Sequence, residues 1–122
     1  MVNLNWTLSE DGYTNYKENI EKEYIYVVCY KNEIIGYMTC WVNKQEKWDK
    51  YKTFKIGNLY VKKEYQNNGL ETKLVNKARE LCKGNDIKFL KIDVLEDNKE
   101  AQKFYAKNGL YKYGIIQFAE IK

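Results

Sequence analysis

Apolar and polar residues follow two periods along this chain, and the changes of period divide it into elements. Residues 23–30 and 34–42 are β-rich runs joined by Lys31-Asn32-Glu33, a short polar connection that reads as a hairpin. A third strand is expected over 53–61, after a charged loop that holds Trp48. From 68 to 82 the period lengthens: Leu70, Leu74, Ala78, Leu81 and Cys82 recur every three to four residues, and Gly84 stands where it can close an amphipathic helix. Residues 88–94 alternate again, with Leu90, Ile92 and Val94 on one face and Phe89 on the other. Asp97-Asn98-Lys99-Glu100 has the form of a capping box ahead of a helix that carries Ala101, Phe104 and Tyr105, and Asn108-Gly109 ends that helix. A last strand is expected over 113–121. A weakly patterned helix is expected over 11–20, with Tyr13, Tyr16 and Ile20 on one side.

A strand, helix, strand unit implies a parallel pair with a right-handed crossover, and the leading hairpin adds antiparallel strands. The expected fold is therefore α/β in the broad sense (α+β), a mixed and mostly antiparallel central sheet around a parallel β-α-β core. At 122 residues the chain has room for one hydrophobic core, so residues 1–122 are expected to form a single domain.

Composition narrows the chemistry. With no histidine, hydrolysis through a histidine base and His-ligated metal centres are excluded; Ser9 is the only serine. The net charge of +4 comes almost wholly from lysine, with Arg79 the only arginine, so the bidentate grip on phosphates and guanine edges is lacking and no nucleic-acid partner is expected. Cys29, Cys40 and Cys82 have no metal-ligand spacing and read as free, buried or half-buried thiols, with no metal site. No apolar run is long enough for a membrane helix and the first residues lack the phases of a signal peptide, so a cytoplasmic protein without membrane contact is expected.

One stretch carries candidate chemistry. Leu59, Tyr60 and Val61 end a strand that runs through a polar loop, Gln66-Asn67-Asn68-Gly69, into the helix beginning Leu70-Glu71-Thr72. A helix start offers unpaired N–H groups and a partial positive charge, which suit a phosphate, and Gly69 lets backbone approach such a ligand. Alone, this stretch favours a plain loop with a glycine. One strand later, however, Asn98, Ala101, Tyr105, Asn108, Gly109 and Leu110 follow, with Asn98 and Tyr105 seven residues apart on one helix face.

Together the two stretches resemble the GNAT superfamily of acyl-CoA-dependent N-acyltransferases. There, L-x-V at a strand end precedes [Q/R]-x-x-G-x-[G/A], and N-x-x-A-x-x-x-Y-x-x-x-G-[F/L] comes later. The resemblance covers residues 23–122 and implies transfer of an acetyl group from acetyl-CoA, without a metal, to a small-molecule or peptide amine. It implies that the backbone of Leu59, Tyr60 and Val61 pairs with the pantetheine arm. The amides of Asn67, Asn68, Gly69, Leu70, Glu71 and Thr72, in the loop opened by Gln66, would cradle the pyrophosphate. Asn98 would bind the pantetheine or orient the cofactor. Tyr105 would protonate the departing thiolate, and an amide near Val61 would stabilise the oxyanion.

Four departures shape the expectations. Glu71 stands where the pattern has Gly or Ala, with Lys73 and Lys77 within its reach. Gly57 and Asn58 stand where many relatives carry a catalytic carboxylate, which leaves a water relay helped by Tyr60 or by the loop around Glu46. The segment ahead of the hairpin is short, so the acceptor pocket is open or completed by a second copy of the chain as a homodimer. One strand follows Tyr111 where many relatives have a hairpin, as in a compact variant. A non-catalytic acyl-CoA binder and a nucleic-acid or protein interaction module, the latter suggested by Trp41, Trp48 and the tyrosines, are the competing readings.

Overall fold

The computed structural model describes residues 5–9, 20–45, 47 and 49–121. A five-stranded sheet in the order β1-β2-β3-β4-β5 is built from β1 (Asn5–Ser9), β2 (Ile20–Tyr30), β3 (Glu33–Asn43), β4 (Thr53–Val61) and β5 (Phe89–Ile92). Its first three pairings are antiparallel, and β4 with β5 is parallel. Helix α1 (Leu70–Gly84) crosses between β4 and β5, and α2 (Lys99–Lys107) follows β5. The expected mixed sheet with a parallel β-α-β unit is what forms.

The hairpin of β2 and β3 turns at Lys31 and Asn32, both left-handed (φ 50° and 64°), as a two-residue turn between twisted strands requires. Helix α1 lays Leu70, Leu74, Val75, Ala78 and Cys82 on the sheet. Of these, Leu70, Leu74, Ala78 and Cys82 meet Tyr24, Tyr26 and Val28 of β2, Met38, Cys40 and Val42 of β3, and Phe54, Ile56 and Val61 of β4 in one buried cluster. All three thiols are free. Burial pushes the Cys40 thiol up to about 12, so it acts as a small hydrophobe. Among the described residues no helix is long and apolar enough to cross a membrane.

Four expectations are corrected. A strand, β1, pairs with β2 ahead of the hairpin; the alternation Trp6, Thr7, Leu8, Ser9 carried it, but five residues are too few to stand out. Ile20 opens β2, and the rest of the helix expected over 11–20 lies outside the described residues, as do Glu46 and Trp48. The cap of α2 is Asn98, whose Oδ1 accepts from the Ala101 amide at 3.0 Å, and not Asp97, to which the capping box with Glu100 three residues on points; the helix starts one residue later. No strand forms over 113–121: residues 111–121 are all exposed, because a strand needs a ladder partner and none reaches them.

Candidate active site

The strand β4 changes character halfway. Its pairing with β5 runs from Thr53 with Phe89 to Ile56 with Ile92 and stops. At that point Gly57 is an extra residue, since Thr39 faces Asn58 while Cys40 faces Ile56. The bulge needs glycine: a Cβ at Gly57 would lie 2.1 Å from the Trp41 ring, which covers it. Beyond the bulge, β4 keeps β3 on one edge and has no strand on the other among the described residues, so the sheet opens into a notch between β4 and β5.

Which backbone groups face that notch follows from the ladder. Antiparallel pairs alternate between those that exchange both hydrogen bonds and those that exchange none. The Lys62 amide donates to the Ile35 carbonyl at 2.7 Å, which makes the flanking pair of Val61 and Gly36 a non-bonded one. Val61 therefore points its N–H and C=O away from β3, and so does Leu59 two residues earlier. Gln66 reaches back from the loop and its Nε2 donates to the Val61 carbonyl at 3.0 Å, leaving the Val61 N–H exposed to the notch. Tyr60 points its side chain to the sheet face away from α1, 49% exposed, its ring 5.7 Å from that of Tyr37.

The loop after β4 makes a short 3-10 turn, Lys63–Tyr65, and then two left-handed residues, Asn67 (φ 65°) and Gly69 (φ 77°). Asn68 pins the loop by donating to the Tyr65 carbonyl at 3.0 Å. Gly69 is the N-cap of α1, with no atom within 4 Å of where a Cβ would stand, so the loop is open on that side. The first amide claimed by the helix is that of Lys73, which donates to the Gly69 carbonyl. Among the described residues no hydrogen bond takes the amides of Asn67, Asn68, Gly69, Leu70, Glu71 or Thr72. Six consecutive donors without a partner among the described residues stand at the positive end of α1, where the helix dipole favours an anion.

Glu71, half-buried in the first turn, makes no ion pair among the described residues; Lys77 pairs with Glu80 at 3.1 Å instead. Asn58 is tied to Thr39, its amide donating to Oγ1 at 3.0 Å and its Nδ2 at 3.2 Å. Neither Gly57 nor Asn58 can act as a base, and both have structural work. On α2, Asn98 has spent its side-chain oxygen on the cap and keeps its NH2 group. Tyr105 is half-buried against Phe104, their ring centroids 5.1 Å apart, and burial holds its phenol above the ordinary tyrosine value of 10.0. Its hydroxyl has no partner among the described residues and remains accessible to solvent.

Sequence reasoning missed the link between the two helices. Arg79 of α1 donates through its guanidinium to the Asn108 carbonyl at the C-terminus of α2, where a cation also meets the negative end of the helix dipole. The signal was the lone arginine in a lysine-rich chain. Gly109 (φ 85°) leaves space for that guanidinium, since a Cβ there would lie 2.9 Å from it.

The sheet thus parts after a bulge, and a loop of free amides opens the crossover helix. Residues 3–110 match the acetyltransferase (GNAT) family, and the chain belongs to that family. A Bacillus subtilis (strain 168) protein assigned as a [ribosomal protein bS18]-alanine N-acetyltransferase is 32% identical over 102 residues, which are 82% of this chain and 63% of that protein. The chain thus spans less than two thirds of that relative's length. An acetyltransferase structure from Pyrococcus furiosus superposes with a TM-score of 0.74 at 23% identity, covering 82% of this chain and 66% of that one. The aminoglycoside N-acetyltransferase AAC(6')-Iy in complex with CoA superposes with a TM-score of 0.71 at 12% identity over 82% of this chain and 76% of its own. At such identities the two structures share the fold with this chain.

Proposed function

We propose that the protein transfers the acetyl group of acetyl-CoA to a primary amine by direct attack within a ternary complex. The observation that carries this reading is the continuity of the outward-facing backbone of Leu59 and N–H of Val61 with the six free amides from Asn67 to Thr72. An extended amide-bearing arm fits the first as an added strand, and a diphosphate fits the second. Those residues, with the NH2 group of Asn98, would hold the donor. The acceptor's lone pair would attack the thioester carbon, and the oxyanion formed would take the Val61 N–H. On collapse the carbon–sulfur bond breaks, Tyr105 gives its proton to the thiolate, and the amine loses a proton to water. Burial suits Tyr105 to this role by keeping the phenol protonated.

The acceptor is a primary amine on a peptide or small molecule; the 32%-identical relative, named for acetylating an alanine of a ribosomal protein, supports including a peptide N-terminus. The test is calorimetric titration with acetyl-CoA, followed by thiol release over a panel of alanyl peptides, amino sugars and polyamines. Binding with turnover that falls about 10²–10⁴-fold in Tyr105→Phe, at unchanged donor affinity, is the expected result. Binding without turnover on any amine would favour a non-catalytic acyl-CoA sensor, a reading that Glu71 and the structural employment of Gly57 and Asn58 support. No binding would overturn the proposal.

A further inference from the structure

Tyr105 stands on a helix with little to hold it, since α2 buries none of its residues and leaves Phe104 and Tyr105 half-buried. Among the described residues one hydrogen bond joins α2 to α1, from the Arg79 guanidinium to the Asn108 carbonyl. That bond enters a network that closes on Tyr105. The Tyr105 carbonyl accepts from the Asn108 amide at 3.0 Å and from the Leu110 amide at 2.9 Å, and the Ala106 carbonyl accepts from the Gly109 amide at 3.1 Å. With Gly109 left-handed (φ 85°), this is a helix end closed on the carbonyls of Tyr105 and Ala106, and the Asn108 carbonyl is left for Arg79. At 1.5 Å per residue the anchored carbonyl lies about 4.5 Å along the axis from Tyr105.

The α1 end of the tie is rigid. Arg79 follows Val75 by one turn and Ala78 by one residue, and both of those are fully buried. Thr72, Val75 and Arg79 recur at i, i+3 and i+7 and so share one flank of α1. The flank that reaches α2 therefore starts at the last of the six free amides.

We propose that Arg79 is a positioning residue for proton donation, fixing α2 against α1 so that the Tyr105 hydroxyl meets the sulfur of a donor held at the start of α1. The inference rests on the acetyltransfer reading. The first turn of α2 has fastenings of its own: Asn98 caps it, and Gln102 Nε2 donates to the carbonyls of Leu95 at 2.9 Å and Glu96 at 3.0 Å. Loss of the Arg79 tie thus leaves Asn98 in place and frees the half of α2 that carries Tyr105. The residue type fits the task. In a chain whose other basic side chains are all lysine, the single arginine stands where a planar fork must hold one orientation, which a point charge on a flexible stem does not do. Gly109 fits it too, since a Cβ there would lie 2.9 Å from the guanidinium.

Arg79→Met keeps the apolar stem and removes the donors. It should lower kcat about 10–100-fold, as a misplacement on the order of 1 Å does, and leave the donor dissociation constant within about threefold. In the Tyr105→Phe background the same substitution should change kcat by less than about twofold, because the group it displaces is already gone. Arg79→Lys should fall between the two. A readout without turnover is the Tyr105 phenol, followed by NMR of ring-labelled protein and assigned by its loss in Tyr105→Phe. Burial holds this phenol above 10.0, so in Arg79→Met it should titrate closer to 10.0 as the ring meets water. Should Arg79→Met fail to fold, Arg79→Lys, which keeps the charge, carries both measurements. An unchanged kcat in the folded variant, an equal loss in the Tyr105→Phe background, or a phenol that does not move overturns the proposal. An unaltered chain that turns over no amine overturns the transfer reading and this role together, whereas turnover indifferent to Arg79 overturns this role alone.

Discussion

The carboxylate of Glu71 sits in the first turn of α1 beside six amides without partners, and two forces act on it in opposite directions. A negative charge at a helix N-terminus is stabilised by the dipole. A diphosphate brought to the same amides repels it, by about 1 kcal/mol at 4 Å in water. Because no lysine neutralises Glu71 among the described residues, the repulsion should be felt. Glu71→Ala removes the charge and keeps a strong helix former. Calorimetry should show coenzyme A binding tightened about fivefold, with the gain shrinking as salt is raised. Unchanged affinity at low salt would mean that the diphosphate does not lie at this turn. Tyr105 poses a question of pH. Its folded pKa lies above the ordinary 10.0, so the acid form persists throughout the neutral and moderately alkaline range. The rate should therefore rise with pH as the acceptor amine loses its proton, with no decline until above 10.0. A decline near neutrality that vanishes in Tyr105→Phe would assign the phenol a different role.

Helix α2 shows what one residue contributes to an element. It is short, buries no residue, and is held by Asn98 at its start and Arg79 at its end. Asn98→Ala should cost about 1 kcal/mol of local stability, seen as faster amide exchange confined to residues 99–107, with α1 unaffected. Slower thioester turnover would accompany it if α2 carries the acid, with weaker donor affinity from loss of the Asn98 NH2 group. Elements of this kind were legible where two signals coincided. The helix α1 had apolar period and closing residues together, and the β2–β3 hairpin had two β-rich runs around a turn. Legibility failed where the outcome depends on distant partners. The bulge at Gly57 exists because the Trp41 ring occupies the space of a side chain, and no local pattern announces that ring. Residues 111–121 have the composition of a strand, yet strand formation is decided by whether an edge is offered to them. The six donors of the cradle were foreseeable from the helix start, whereas the aim of the Val61 amide emerged only from the register with Gly36.

For the molecule as a whole, the notch makes stability and donor binding one problem. A sheet that parts after Ile56 and Ile92 leaves the outward backbone groups of Leu59 and the Val61 N–H to water, and the six amides beyond them likewise. Buried strand edges gain from pairing, so this end of the sheet should be where local opening costs least. An acyl-CoA arm laid along the β4 edge would supply the missing pairs to the folded state alone. Its binding must then raise the unfolding free energy by mass action, about 2.7 kcal/mol at a hundred times the dissociation constant. For a chain of this size that shifts the thermal midpoint by roughly 10 °C. The shift should come with slowed amide exchange at Val61 and in the Asn67 to Thr72 loop, and little change in β1 and β2. Protection spread evenly over the sheet would instead mean that the ligand stabilises the molecule from another surface. A midpoint that rises with no slowing at Val61 would place the diphosphate in its cradle while the acyl arm lies outside the notch, a geometry from which the Val61 amide could not reach an oxyanion.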